Sequence, residues 1–256
     1  MAKSPATKST RTLPQRLSLE GRRIIVTGAA SGIGRATAHA VAELGASVML
    51  TDMAPLAEVA AELKALGTKV ETLELDLTAD GAIDTLIATG PIDGLAHCAG
   101  ILRRTPYQTD ASHRDRFDRV MDVNLRLPLD LGLAVSDHMA ARGGGHIVLI
   151  GSVAGRTGGT ALTTPVDYAA SKGAIHTVVR WLSRQVVGKG VLVNAVAPGP
   201  VATAMTAGSS VDPKLLPRGR MGEPAEIGWL IAMLLTPATS YVSGAVLDAN
   251  GGSYVG

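Results

Sequence analysis

Seven short apolar runs separated by longer stretches of helical character constrain this chain more than any other feature of its sequence. They are "RIIVTG" (23–28), "ASVMLTD" (46–52), "KVETLELD" (69–76), "IDGLAHCAG" (92–100), "GHIVLIGS" (145–152), "VLVNAVAPG" (191–199) and "GAVLDANGG" (244–252). Each is aliphatic or β-branched and bounded by Gly, Asp or Pro, the pattern of strands buried on both faces of a parallel sheet. Seven such strands alternating with helices predict an α/β fold: a doubly wound, seven-stranded parallel sheet with helices on both faces, of the Rossmann type. In such a sheet ligands bind beyond the carboxyl ends of the strands, so the residues just after each run are the ones to read for chemistry.

Composition narrows the function classes. The 256 residues carry 24 Lys and Arg against 22 Asp and Glu. Residues 1–23 alone hold Lys3, Lys8, Arg11, Arg16, Arg22 and Arg23 against Glu20, leaving 18 basic and 21 acidic residues for the rest. A slightly acidic body argues against a nucleic-acid partner, which needs a basic surface on the domain itself. Residues 1–20 read as a flexible basic tail, low in hydrophobicity and rich in Ser, Thr and Lys, and 21–256 as a single catalytic domain. The tail lacks the apolar core of a signal peptide, although it shares Arg and Ser content with organelle-targeting segments. A membrane-surface role for it is a weaker alternative. No apolar run reaches the ~20 residues that span a bilayer. Cys98 is the only cysteine, so no internal disulfide can form and a reducing, cytoplasmic location is expected. Its setting, "GLAHCAG", predicts a packed thiol.

The glycine-rich turn "VTGAASGIGRA" follows the first strand and opens a helix. Gly28, Gly32 and Gly34 have GxxxGxG spacing, with Ser31 and Ile33 between them. Backbone without Cβ permits a tight turn and close approach, and helix N-terminal amides face an anionic pyrophosphate. Asp52 ends the second strand, placed to accept hydrogen bonds from the adenosine ribose; a 2′-phosphate there would meet a like charge, which favours NAD over NADP. Asp76 and Leu77 end the third strand, where an adenine would lie.

"DYAASKGA" places Tyr168 and Lys172 four apart, on one face of a helix that begins near Pro165. A free tyrosine, with a pKa of about 10, is a poor base near neutrality. A lysine ammonium one turn away favours its phenolate, which can then exchange a proton with a substrate oxygen while a nicotinamide exchanges a hydride with the adjacent carbon. Ser152, at the end of "HIVLIGS", can hydrogen-bond the same oxygen. Asn124 falls within a long helical region, 110–141; if buried it needs partners, supplied by a kinked backbone or by a water beside Lys172. No pair or cluster of the six histidines has metal-ligand spacing, so no metal is expected.

Together these residues resemble the shorter, single-domain members of the short-chain dehydrogenase/reductase family, from about Gly21 to Gly252. The matching pieces are "TGAASGIG", Asp52, Asp76, "CAG" with Ala99 and Gly100, Asn124, Ser152, "YAASK", and "NAVAPGPVAT" with Pro198, Gly199, Val201 and Thr203. The resemblance implies Tyr168 as acid/base, Lys172 as its charge partner and a ribose ligand, Ser152 as carbonyl orienter, Asn124 as holder of a relay water, and Thr203 as a nicotinamide contact. It also implies a homotetramer that pairs the helices carrying Asn124 and Tyr168. Two departures stand out: "HCAG" replaces the family's "NNAG", which puts local stability in question, and the segment from Ser152 to Tyr168 is lengthened, which reshapes the pocket wall.

The function expected is therefore hydride transfer between NAD(H) and a small secondary alcohol or ketone, with 101–104, 153–166 and 200–205 forming a weakly charged pocket. A loop spanning 199–223, rich in Gly, Pro and Ser, is a candidate lid, and Pro224 opens the helix after it. One alternative is an NADPH-dependent 3-oxoacyl thioester reductase, with Arg103 and Arg104 meeting an anionic carrier. Another is a non-catalytic dinucleotide-binding sensor or scaffold, which would have no need of Ser152, Tyr168 and Lys172 together.

Overall fold

The computed structural model describes residues 14–103, 111–159 and 164–256. Seven strands form one sheet: β1 (Arg23–Thr27), β2 (Ser47–Asp52), β3 (Val70–Glu74), β4 (Gly94–His97), β5 (Gly145–Ile150), β6 (Val191–Pro198) and β7 (Val246–Ala249). All pairings are parallel and the order is β3-β2-β1-β4-β5-β6-β7. The order reverses direction between β1 and β4, which opens a crevice above their carboxyl ends.

Side-chain alternation along the strands builds two cores. Ile24, Val26, Val48, Leu50, Ala96, Val148 and Val196 face α1 (Gly32–Glu43), α2 (Ala57–Ala65) and α8 (Pro224–Leu234). Ile25, Met49, Leu95, Ile147, Leu149, Val193 and Ala195 face the other way. There they pack on α3 (Ala82–Ile87), α5 (Leu127–Ala140) and α7 (Val166–Val186). The central strands are mostly apolar because both faces are covered, with Thr27, His97, His146 and Asn194 among the buried polar exceptions.

The long helical region is one continuous run with a flaw in it. α4 (Ala111–Met121) passes into a wide π-helical turn, Asp122–Arg126, before α5 begins. Pro128 lacks the N–H that would bond the carbonyl of Asn124, so the ladder widens at this point. The flaw turns Asn124 inward, where it is buried. A short helix, α6 (Ala154–Thr157), follows β5, and Pro165 stands immediately before α7.

The structure changes one boundary read from composition. Leu19, assigned to the basic tail, is fully buried, and its N–H donates to the carbonyl of Leu44 at 2.7 Å. In the described part of that segment Leu19 therefore anchors on the domain while Pro14, Gln15, Arg16 and Glu20 are exposed; 1–13 lie outside the described residues. α8 opens at Pro224, as the sequence predicts, with Glu223 and Glu226 forming a reciprocal cap.

Candidate active site

Three segments converge above β1 and β4. The turn after β1 is held against the turn after β4: at Gly28, where φ is +65°, a Cβ would lie 2.7 Å from the amide nitrogen of Ala99. Only glycine meets both the left-handed backbone and the close approach. Gly32 stands at the start of α1, where the side chain of Thr203 closes over it. Between them lies a cavity of about 310 Å³ lined by Gly28, Ser31, Gly32, Ile33 and Gly34, by Asp52, Asp76 and Leu77, and by Ala99, Gly100 and Thr203. A helix N-terminus, bare backbone and a carboxylate at the second strand's end fit the pyrophosphate and ribose of a dinucleotide.

Asp52 is fixed by two backbone donors, its Oδ2 accepting from Ala30 N–H and its Oδ1 from Ala54 N–H, both at 3.0 Å. Asp76 Oδ1 accepts from the hydroxyl and N–H of Thr78, and Arg119 of α4 lies 3.5 Å from its Oδ2. The Thr78 donors, with Arg119 beyond them, hold the Asp76 carboxyl below the usual carboxylate range. Arg119, Thr51, Met53, Leu75, Thr78, Val123 and Leu127 also line this cavity, and sequence reading missed them. For Arg119 the available signal was its position on α4, one turn before Asn124 and within reach of the third strand's end.

Asn124 bridges to the strand-end loop. Its Oδ1 accepts from Ile101 N–H at 2.8 Å and its Nδ2 donates to Ile101 C=O at 2.9 Å, with Ser171 Oγ 3.3 Å away. The partners it needed are thus the backbone of Ile101, reached through the kinked helix. Lys172 is buried beside it, and a Cβ on Gly100 would meet Asn124 Oδ1 at 3.3 Å and Lys172 Nζ at 3.4 Å. Lys172 Nζ donates to Ile150 C=O at 2.8 Å and lies 5.9 Å from the centre of the Tyr168 ring. Burial depresses the Lys172 pKa to about 8, which still leaves an ammonium at neutral pH.

Tyr168 and Ser152 line a second, smaller cavity of about 90 Å³ with Leu102, Val153, Ala154, Thr164, Pro165, Gly199, Pro200, Met205, Thr206, Ser209 and Val211. Ser152 is buried and its Oγ accepts from Ala154 N–H at 3.1 Å. Met205 borders both cavities, so they share a wall. No charged side chain lines the second cavity among the described residues; Arg104 and 160–163, expected in the pocket wall, lie outside them. The loop over it is closed at its base, Ala202 N–H donating to Gly222 C=O and Gly222 N–H to Pro200 C=O, both at 2.9 Å. Pro198 and Val201 line neither cavity. Pro198 accepts from Val153 N–H, and Val201 packs into the core behind the loop.

The "HCAG" departure has a structural answer. His97 Nδ1 meets Thr27 Oγ1 at 2.9 Å, and Ala99 N–H donates to the same hydroxyl at 3.2 Å, so β1 and β4 are tied through Thr27. Burial, with the Lys172 charge adding to it, drives the His97 pKa down to about 3. Burial pushes the Cys98 thiol up to about 12, consistent with a packed, unreactive sulfur. Among the described residues no group of His, Cys, Asp and Glu could hold a metal ion, and no helix is long and apolar enough to cross a membrane.

Comparison with known proteins decides the family. A family model described as enoyl-(acyl carrier protein) reductase matches residues 28–254. The chain belongs to the short-chain dehydrogenase/reductase family. This short-chain dehydrogenase/reductase is 37% identical over 254 residues to a 2-dehydro-3-deoxy-D-gluconate 5-dehydrogenase of Pseudoalteromonas atlantica, covering 93% of this chain and 98% of that one. It is 33% identical over 249 residues to a 3-oxoacyl-[acyl-carrier-protein] reductase of Vibrio harveyi, covering 93% of this chain and all of that one. The fold superimposes on a gluconate 5-dehydrogenase from Burkholderia cenocepacia in complex with NADP and tartrate with a TM-score of 0.83 at 30% identity, covering 94% and 99% of the two chains. Short-chain dehydrogenase/reductases are NAD(P)-dependent oxidoreductases acting on small molecules, and the fold expected from the seven apolar runs is the one found.

Proposed function

We propose that this protein is an NAD-dependent dehydrogenase that interconverts a small secondary alcohol and its ketone, with Tyr168 as the acid/base. The observation that carries the reading is the buried Lys172 ammonium, 5.9 Å from the ring of Tyr168, which itself lines a cavity with Ser152. A bound nicotinamide supplies the hydride acceptor. In the oxidising direction the Tyr168 phenolate takes the alcohol proton, the carbinol C–H leaves as hydride, and the oxygen becomes a carbonyl. Ser152 donates a hydrogen bond to that oxygen, and the Lys172 charge stabilises the phenolate. Asn124 holds the loop at Ile101 and keeps a polar path beside Lys172.

A dinucleotide would be held by Gly28, Ser31, Gly32, Ile33, Gly34, Asp52, Asp76, Leu77, Ala99, Gly100, Tyr168, Lys172, Pro198, Gly199, Val201 and Thr203. The preference for NAD rests on Asp52, whose carboxylate would repel a 2′-phosphate. The NADP in the Burkholderia structure belongs to that protein. The 3-oxoacyl reductase relative favours a second reading, NADPH-dependent reduction of a 3-oxoacyl thioester. The folded body, with Leu19 in its core, acts as one catalytic domain in the cytoplasm, as a homotetramer paired through the helices of Asn124 and Tyr168.

The test is absorbance-monitored turnover of secondary alcohols, polyols, hydroxysteroids and hydroxyacyl thioesters with NAD and NADP in parallel. Turnover with NAD that falls at least about 1000-fold in Tyr168→Phe, while NADH still binds, is the expected result. Undiminished turnover in that variant would remove Tyr168 from the chemistry.

A further inference from the structure

We propose that Ser209 binds a second oxygen of the substrate, distinct from the one that exchanges its proton with Tyr168. This rests on the oxidoreductase reading above and concerns the same cavity. Ser209 lies in the loop between two short helical turns, Ala204–Thr206 and Pro213–Leu215, and lines the cavity with Leu102, Val153, Pro165, Met205 and Val211. Its hydroxyl oxygen is closed to solvent and makes no hydrogen bond among the described residues.

Two other hydroxyls that line the cavity, those of Thr206 and Ser152, are engaged. Thr206 Oγ1 donates to Val201 C=O at 2.5 Å and accepts from Thr203 N–H at 3.0 Å. Ser152 Oγ already accepts from Ala154 N–H. An unpaired buried hydroxyl is unfavourable, and native structures rarely retain one without a use for it. A serine side chain has only staggered wells to move between, so its O–H can turn into the adjoining cavity at little cost.

An otherwise apolar pocket orients its ligand through its few polar points. Tyr168 and Ser152 supply one such point, from α7 and the end of β5. Ser209 supplies another from a different segment, so the two together fix a molecule at two oxygens. The substrate class is a secondary alcohol or ketone bearing one more hydroxyl or carbonyl oxygen: a polyol or hydroxy ketone, or a 3-oxo ester. A site built to hydrogen-bond an oxygen discriminates against the analogue that lacks it, because its own group is then left unpaired.

The experiment compares wild type, Ser209→Ala and Ser209→Thr on matched compounds. Oxidation with NAD uses 2-butanol, 1,3-butanediol and 2,3-butanediol; reduction with NADH uses 2-pentanone and methyl acetoacetate. Wild type is expected to favour at least one oxygenated compound over its plain partner by about tenfold in kcat/KM. That preference should collapse to within about twofold in Ser209→Ala and survive in Ser209→Thr, which keeps the hydroxyl. The diol and keto-ester arms tell whether the second oxygen is a hydroxyl or a carbonyl. Without ligand, Ser209→Ala should melt no lower than wild type, since it removes an unpaired group.

A preference unchanged by Ser209→Ala, a wild type without preference, failure of every oxygenated compound, or a marked fall in the variant's melting temperature would each overturn the assignment. Tyr168→Phe separates it from the parent reading. Tyr168-dependent turnover with a Ser209-independent preference removes only Ser209, whereas turnover that persists in Tyr168→Phe removes the catalytic assignment itself.

Discussion

The two cavities at the carboxyl edge of the sheet are walled by different kinds of structure. The larger is framed by strand ends and the first turn of α1, with backbone so closely apposed that a Cβ at Gly28 would overlap the amide of Ala99. The smaller is walled by the segment after β5, the start of α7 and a long loop stapled at its base through 200–222. One wall is set by sheet geometry and tolerates little change. The other is set by loop sequence and can be rebuilt without disturbing the sheet, as expected where one fold serves many substrates.

The contrast can be broken most directly at Gly28. Gly28→Val adds branched bulk to a left-handed residue pressed on Ala99, and strain and overlap of this kind cost a few kcal/mol together. NADH affinity, measured by fluorescence titration, should weaken at least about 100-fold. An affinity kept within a few-fold would mean that the two turns separate easily and that the rigid wall is not rigid.

A smaller effect is expected at Asp52, which lines the rigid wall and, on the proposed NAD preference, would discriminate by charge. Asp52→Asn keeps an acceptor for Ala30 or Ala54 and removes the repulsion of a 2′-phosphate, worth roughly 1 to 4 kcal/mol at contact depending on solvent exposure. NADPH should bind about tenfold more tightly relative to NADH than in wild type. No change in the ratio of dissociation constants would place the adenosine ribose elsewhere.

The smallest effect sharpens the comparison through pH. His97 lies under the larger cavity and His176 in α7 near the smaller one; burial lowers the first to about 3 and the second, with Arg156 and Arg180 nearby, to about 4. The unfolded chain binds protons from about pH 6.5 downward while the folded one does not, so stability falls as pH drops from about 6.5 toward 4. Each histidine steepens the loss by up to about 1.4 kcal/mol per pH unit. His97→Asn should flatten the acid limb of a melting-temperature profile by about that share. An unaltered profile would show that His97 titrates normally.

The sheet and the glycine turn after β1 were legible because they obey rules of local pattern. Strands buried on both faces must be apolar along their length, and a turn that lets two backbones touch must be glycine. The Tyr168 and Lys172 pair was legible because helical spacing alone puts them on one face. Asn124 was legible as a residue needing partners but not as the residue that pins Ile101, since this depends on a π-turn forced by Pro128 four positions later. Arg119 had only its helix position to mark it, and His97 with Thr27 and Ser209 could not be read, because the Thr27 partner lies far away along the chain and Ser209 has none among the described residues.

The sequence by itself thus determined the seven-stranded architecture, the glycine-rich turn and the family, because periodicity, glycine spacing and short motifs act within a few residues. Tertiary structure alone decided that Leu19 belongs to the core, that Lys172 is buried with Ile150 as its hydrogen-bond acceptor, and that Ser209 faces an apolar cavity with its hydroxyl unpaired. Burial and hydrogen-bond satisfaction are properties of surfaces brought together by folding, and no local pattern encodes them.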